Sequence, residues 1–133
     1  MDAPLTDLAR RTLDGAYSGA MSFPEIVGAL MGAGFEGYMV DYRTKTATYF
    51  HPEAAALILP LPASADAIAL AFDGVAIAAQ VAWAQRGEAD YSYAAFCRNV
   101  KSAGCAGYMV SFPGRRVVYF GCTAETHTEH FPG

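Results

Sequence analysis

Charge is the first thing this chain is short of. Charged residues make up 17% of its 133 positions, with nine basic against 13 acidic residues, where an ordinary soluble domain carries about 25%. A nucleic-acid surface needs clustered Lys and Arg to neutralise phosphates. The only basic pairs are Arg10-Arg11 and Arg115-Arg116, each read as a solvated face or turn. No nucleic-acid partner is expected. Cysteine is also scarce: three residues, with no Cys-x-x-Cys pair. That excludes a disulfide framework and suits a reducing cytoplasm. Long apolar runs are missing. The most apolar stretch, 63–84, is broken by Asp66, Asp73 and Gly74, so no membrane partner is expected. The opening MDAPLTDLARR lacks a positive head followed by an apolar run, so no signal peptide is expected either. No Walker loop and no Gly-x-Ser-x-Gly elbow occurs, and no cofactor is implied.

What remains is apolar and aromatic. Hydrophobic residues make up 53% of the chain, with eight Tyr and eight Phe. That length and composition fit one domain with a real core.

The chain also repeats itself. Residues 22–62 lie over 92–132 at a spacing of 70 without a gap. Eleven of the 41 positions are identical: Ser22, Ala33, Gly34, Gly37, Tyr38, Met39, Val40, Tyr49, Phe50, Ala54 and Pro62. Ordinary residue frequencies would give about two or three. This predicts a single α+β domain, 1–133, built by internal duplication, each half two helices followed by antiparallel strands.

Each unit reads alike. Ser22 is an expected N-cap with Glu25 three residues on, a capping box. Phe23, Ile26, Val27, Leu30 and Met31 form one helical stripe, closed by Gly34. Ser92, Phe96, Cys97, Val100 and Gly104 repeat it. Hairpins are predicted at 37–42 with 46–50 and at 107–112 with 116–120. Third strands follow near 55–61 and 125–131. Earlier helices are expected from the stripe Leu5, Leu8, Thr12, Leu13, Ala16 and over 75–86, with Asp73 as N-cap. In this register Tyr38 faces Tyr49 and Tyr108 faces Tyr119. Gly37 lies under Phe50 and Gly107 under Phe120, an aromatic ring over bare backbone. Tyr38, Val40 and Tyr42 are assigned to the core side, because Met39 alternates with polar Asp41.

The runs "FPEIVGALMGAGFEGYMVDYRTKTATYF", "AQRG", "YAAF", "AGCAGYMVSFPGRRVVYFG" and the closing "HFP" resemble the YbcV-like family. These are small bacterial proteins classed as a domain of unknown function, some labelled phage envelope protein. The resemblance spans nearly the whole chain. It implies a single α+β domain and brings no reaction, cofactor or site residue.

Candidate chemistry concentrates in ETHTEH at 125–130. On a strand, His127 and Glu129 share one face and His130 takes the other. The pair would serve as a base and its orienter. No zinc spacing is present and no metal is assigned. His127 and Glu129 take the positions of Leu57 and Leu59 in the first unit. A polar edge strand opposite a covered one accounts for that; a functional site would also. Cys97 belongs to a core stripe. Cys105 and Cys122 are expected to face each other across the second hairpin, near neighbours yet reduced.

Two readings follow. The first is a binding or protein-interaction module, possible as a homo-oligomer, whose groove between the repeats is lined by Tyr38, Tyr49, Tyr108 and Tyr119. Its partner would be an unknown small molecule or protein. The second is a small enzyme using Cys105 or Cys122 with His127 and Glu129.

Overall fold

A computed structural model describes residues 1–132. Ten elements follow in order: α1 (Ala3–Ser18), α2 (Phe23–Gly32), β1 (Gly37–Asp41), β2 (Thr46–His51), β3 (Ala54–Pro60), α3 (Gly74–Arg86), α4 (Tyr93–Ser102), β4 (Cys105–Ser111), β5 (Arg116–Gly121) and β6 (Thr126–His130). This is an α+β fold. The elements recur at the spacing of the sequence repeat: α4 begins and ends 70 residues after α2, and β5 does so after β2.

The helix starts follow from their caps. The Asp2 carboxylate accepts from the Leu5 amide and the Asp73 carboxylate from the Ala76 amide. Ser22 and Glu25 complete a reciprocal capping box, while Ser92 accepts from the Ala95 amide alone. Each satisfies amides that a first turn leaves without a partner.

The six strands form one antiparallel sheet in the order β3-β2-β1-β4-β5-β6. The register inside each hairpin matches the sequence expectation, with Tyr38 opposite Tyr49 and Tyr108 opposite Tyr119. The two meanders meet where the sequence repeats. β1 pairs β4 as Tyr38–Val110, Met39–Met109 and Val40–Tyr108. The word GYMV thus lies antiparallel against its own second copy, with a local twofold through Met39 and Met109.

One expectation is refined and another corrected. β3 is a sheet edge like β6, yet Leu59 is buried and Leu57 packs against the core while His127 and Glu129 stay partly exposed, so β3 is covered without being central. Gly37 is not primarily a seat for Phe50. The atom nearest a Cβ there would be the Val110 carbonyl oxygen on β4, at 2.1 Å, whereas Gly107 meets both the Val40 carbonyl and the Phe120 ring.

Tyr38, Val40, Tyr42, Ala47, Tyr49, Tyr108, Val110, Val117 and Tyr119 are buried on the helix side of the sheet, against Leu30, Ile77 and Val100. The opposite face keeps large apolar side chains in solvent, Ile58 at 62%, Met109 at 44% and Phe50 at 38% exposure. Among the described residues no helix is long and apolar enough to cross a membrane.

Candidate functional site

Each candidate from the sequence has a defined place. Tyr38 and Tyr49 stack with ring centroids 5.5 Å apart, Tyr108 and Tyr119 lie at the same spacing, and Tyr38 meets Tyr108 edge-on at 6.3 Å. All four are at most 7% exposed. They fill the middle of the core and form no open groove. Cross-strand aromatic pairs of this kind contribute roughly 0.2–1 kcal/mol each.

The thiols are not brought together. A register shift between Cys105 and Gly107 places Cys105 opposite Gly121 and away from Cys122. The reason is the tight backbone around Gly104, Gly107 and Gly121, where carbonyls and the Phe72 ring leave no room for side chains. Cys105 is fully buried and its thiol donates to the Gly107 carbonyl. Burial pushes that thiol up to about 12, the opposite of what a nucleophile needs. Cys122 is exposed in a turn, and all three cysteines are free. A thiol reagent added to native protein should therefore label Cys122 quickly and leave Cys97 and Cys105 until the chain unfolds. Rapid labelling of two or three thiols in the native state would contradict this placement.

His127 and Glu129 do share a face, and the imidazole is hydrogen-bonded to the carboxylate. The imidazole lies opposite Tyr119, with ring centroids 6.3 Å apart. His51 is occupied differently. Its Nε2 donates to the Ala33 carbonyl and its Nδ1 accepts from the Glu53 amide, which ties the end of α2 to the turn after β2. Among the described residues no three His, Cys, Asp or Glu side chains converge as metal ligands.

The string GAGFEG, 32–37, spells Gly-x-Gly-x-x-Gly. It leads from α2 into β1, whereas the dinucleotide fingerprint needs a strand followed by a helix. It lends no support to nucleotide binding.

The most developed site lies elsewhere. A cavity of about 230 Å³ opens between α1, α4, the turn after β1 and the segment following β3. Tyr17, Ser64, Asp66, Cys97 and Lys101 supply its polar groups, while Tyr42, Leu61, Pro62, Ala63 and Ala94 complete the wall. Lys101 is only 7% exposed. Its ammonium donates to the Ser64 hydroxyl at 3.2 Å, approaches the Asp66 carboxylate at 3.7 Å and stands 5.1 Å from the Tyr42 ring centre. Ser64 in turn donates to Asp66 at 2.9 Å.

Tyr42 is the anomaly. Its side chain is buried, and its hydroxyl has no hydrogen-bond partner. The Cys97 thiol lies close to it, but outside hydrogen-bond geometry. Tyr17 reaches the same thiol from α1 at 3.9 Å, and Tyr93 closes the group by bonding to the Tyr108 hydroxyl. Burial raises the Cys97 thiol, and the hydroxyls of Tyr42, Tyr93 and Tyr17 with the Lys101 charge offset only part of that. Cys97 is thus a polarisable wall and no activated nucleophile.

No family model matches the chain, and no curated protein matches it. The site must be read from its own geometry.

Sequence reasoning passed over this cavity, yet the repeat carried a signal. The residues 70 positions away from Tyr17, Tyr42, Cys97, Arg98 and Lys101 are Gly87, Phe112, Val27, Gly28 and Met31. Lys45, also in the cavity wall, keeps its charge as Arg115, whereas these five have apolar or glycine counterparts. Phe112 fills its place at 4% exposure without a hydroxyl, so the Tyr42 hydroxyl adds nothing that packing requires.

Proposed function

We propose that the protein is a small-molecule binding module whose ligand occupies the cavity beside Tyr42 and Lys101. The observation that carries this reading is the Lys101 ammonium, buried on the wall of that cavity with only the Ser64 hydroxyl and a wide contact to Asp66 as partners. A buried ammonium without a close counter-charge is costly, and a ligand in the cavity would supply a partner. The volume is smaller than the ~300–1,000 Å³ of drug-sized pockets, so the ligand is correspondingly small. The recurrence of elements at a spacing of 70 supports reading the chain as an internal duplication, with the cavity where the two halves meet.

The raised thiols of Cys97 and Cys105 weigh towards binding and away from thiol catalysis. The YbcV-like resemblance adds no reaction to either reading.

The test separates packing from binding. Tyr42→Phe should unfold at the wild-type denaturant midpoint or above it, since it removes an unpaired buried group and copies Phe112. Single-ring neutral, cationic and anionic fragments, followed through backbone amide shifts, should perturb 61–66 and the cavity face of α4. Ala94→Trp, at an exposed position on the cavity rim, should abolish those shifts. Shifts confined to the outer sheet face, or unaffected by Ala94→Trp, would sink the reading.

A further inference from the structure

The charge around the cavity is lopsided. Lys45, Arg98 and Lys101 line it against the single carboxylate of Asp66, in a chain whose net charge is -4. Among the described residues, neither Lys45 nor Arg98 forms an ion pair, and Lys101 has only the wide contact to Asp66. A lysine buried to this degree is rare without a close partner. A well-formed charge-assisted bond would stand at about 2.7–2.9 Å, so 3.7 Å leaves the ammonium underused.

Asp66 belongs to the irregular segment between β3 and α3. Its side chain is 38% exposed, against 9% for the Lys101 side chain it faces. The chain's own carboxylate thus leans over the mouth of the cavity from the solvent side. The Tyr42 ring lies beneath the same ammonium, with its hydroxyl sealed in the core. An anionic head group placed inside would accept from both Lys101 Nζ and Ser64 Oγ, the two groups that now face Asp66. Its remainder would meet Leu61, Pro62, Ala63 and the Tyr17 ring.

We propose that the ligand is a small organic carboxylate with a compact apolar body, held by Lys101 and Ser64 in competition with Asp66. This rests on the cavity being a binding site. The Lys101 ammonium and the Ser64 hydroxyl together match a carboxylate's two oxygens. A phosphate would call for further charged donors, which in this cavity are the exposed Lys45 and Arg98. Asp66 is a stand-in of the same chemistry, so removing its charge strengthens binding.

The probes are benzoate, its neutral isostere benzamide, and inorganic phosphate, each titrated into the full chain and followed by amide shifts at 61–66 and α4. Benzoate should bind at least tenfold tighter than benzamide and phosphate. Lys101→Met, which copies Met31 of the other half, should weaken benzoate tenfold or more, and Lys101→Arg should weaken it less. Asp66→Asn, at a half-exposed position outside the core, should tighten benzoate several-fold and leave benzamide unchanged. Equal affinity for benzoate and benzamide, indifference to Lys101→Met, or weaker binding by Asp66→Asn would each overturn the carboxylate assignment. So would phosphate binding tighter than benzoate. Benzamide bound at the same amides with benzoate silent would overturn the anion class and keep the cavity as a site. Silence from all three probes would remove both.

Discussion

Raising the pH should leave this fold intact to about pH 10 and then unfold it within roughly one to two further units. The cause is its tyrosines. Burial raises the hydroxyl of every one: Tyr49 and Tyr91 to about 12, and Tyr17, Tyr38, Tyr42, Tyr93, Tyr108 and Tyr119 further or in the same direction. In the unfolded chain each ionises near the ordinary 10.0. The folded state therefore holds its phenolic protons more tightly, and stability is fully present below pH 10. Above it, the unfolded state releases protons that the folded state keeps, and stability falls as pH rises. Each such group costs about 1.4 kcal/mol per pH unit. The five tyrosines of the closed core, Tyr38, Tyr42, Tyr49, Tyr108 and Tyr119, together cost about 7 kcal/mol per unit. Typical domain stability is about 5–15 kcal/mol, so one to two units exhaust it. Tyrosinate absorbance and far-ultraviolet circular dichroism, followed together, check this. Both should change in one steep, coincident step near pH 11. A broad phenolate titration near pH 10 with the circular dichroism unchanged would show that these hydroxyls reach solvent in the folded protein.

Gly37→Val and Gly107→Val should each cost about 3 kcal/mol or more, the upper end of what overpacking does. A Cβ on Gly37 would stand 2.1 Å from the Val110 carbonyl oxygen. On Gly107 it would stand 2.3 Å from the Val40 carbonyl oxygen and 2.6 Å from the Phe120 ring. A ring can swing aside, but a carbonyl in a sheet ladder cannot move without losing its own bond. Both glycines sit at the seam between β1 and β4, opposite Ser111 and Asp41, so the damage falls where the two meanders join. Denaturant midpoints within error of wild type would show that the seam has slack. Gly28→Ala, on a helix position where an added Cβ meets nothing within 4 Å, serves as the control.

Much of the fold was legible because it is local. Ser22 and Asp73 announced their helices through capping chemistry, and alternation around Tyr38, Val40 and Tyr42 gave the buried face of β1. Centring each turn just after the sixth residue of its strand gave the hairpin register, with Tyr38 against Tyr49. What escaped was long-range. Nothing in one unit states that β1 will pair with β4, so Gly37 was matched to Phe50 and its closer neighbour on β4 was missed. The shift at Cys105 depends on Phe72 and Gly104 packing nearby, and it moved Cys105 away from Cys122. The cavity was hidden for the same reason. Tyr17, Tyr42, Ser64 and Lys101 come from four separate segments. Only the mismatches between halves, Lys101 for Met31 and Tyr42 for Phe112, mark it in the sequence.

The pairing of Met39 with Met109 has a consequence for molecules that meet before folding is complete. Because GYMV lies antiparallel on a second GYMV, the exposed edge of an unjoined β1 is complementary to β4 and, residue for residue, to another β1. A neighbouring molecule can supply either strand with the same tyrosines buried and the same glycines at the seam. Residues 61–73, which connect the halves without helix or strand, are the natural hinge. Two chains that exchange halves through it keep every strand pair of the monomer and change only that segment, the condition under which domain-swapped dimers form at low cost. Refolding at high concentration would then trap such dimers, and dilution would release them only as slowly as the seam between β1 and β4 opens.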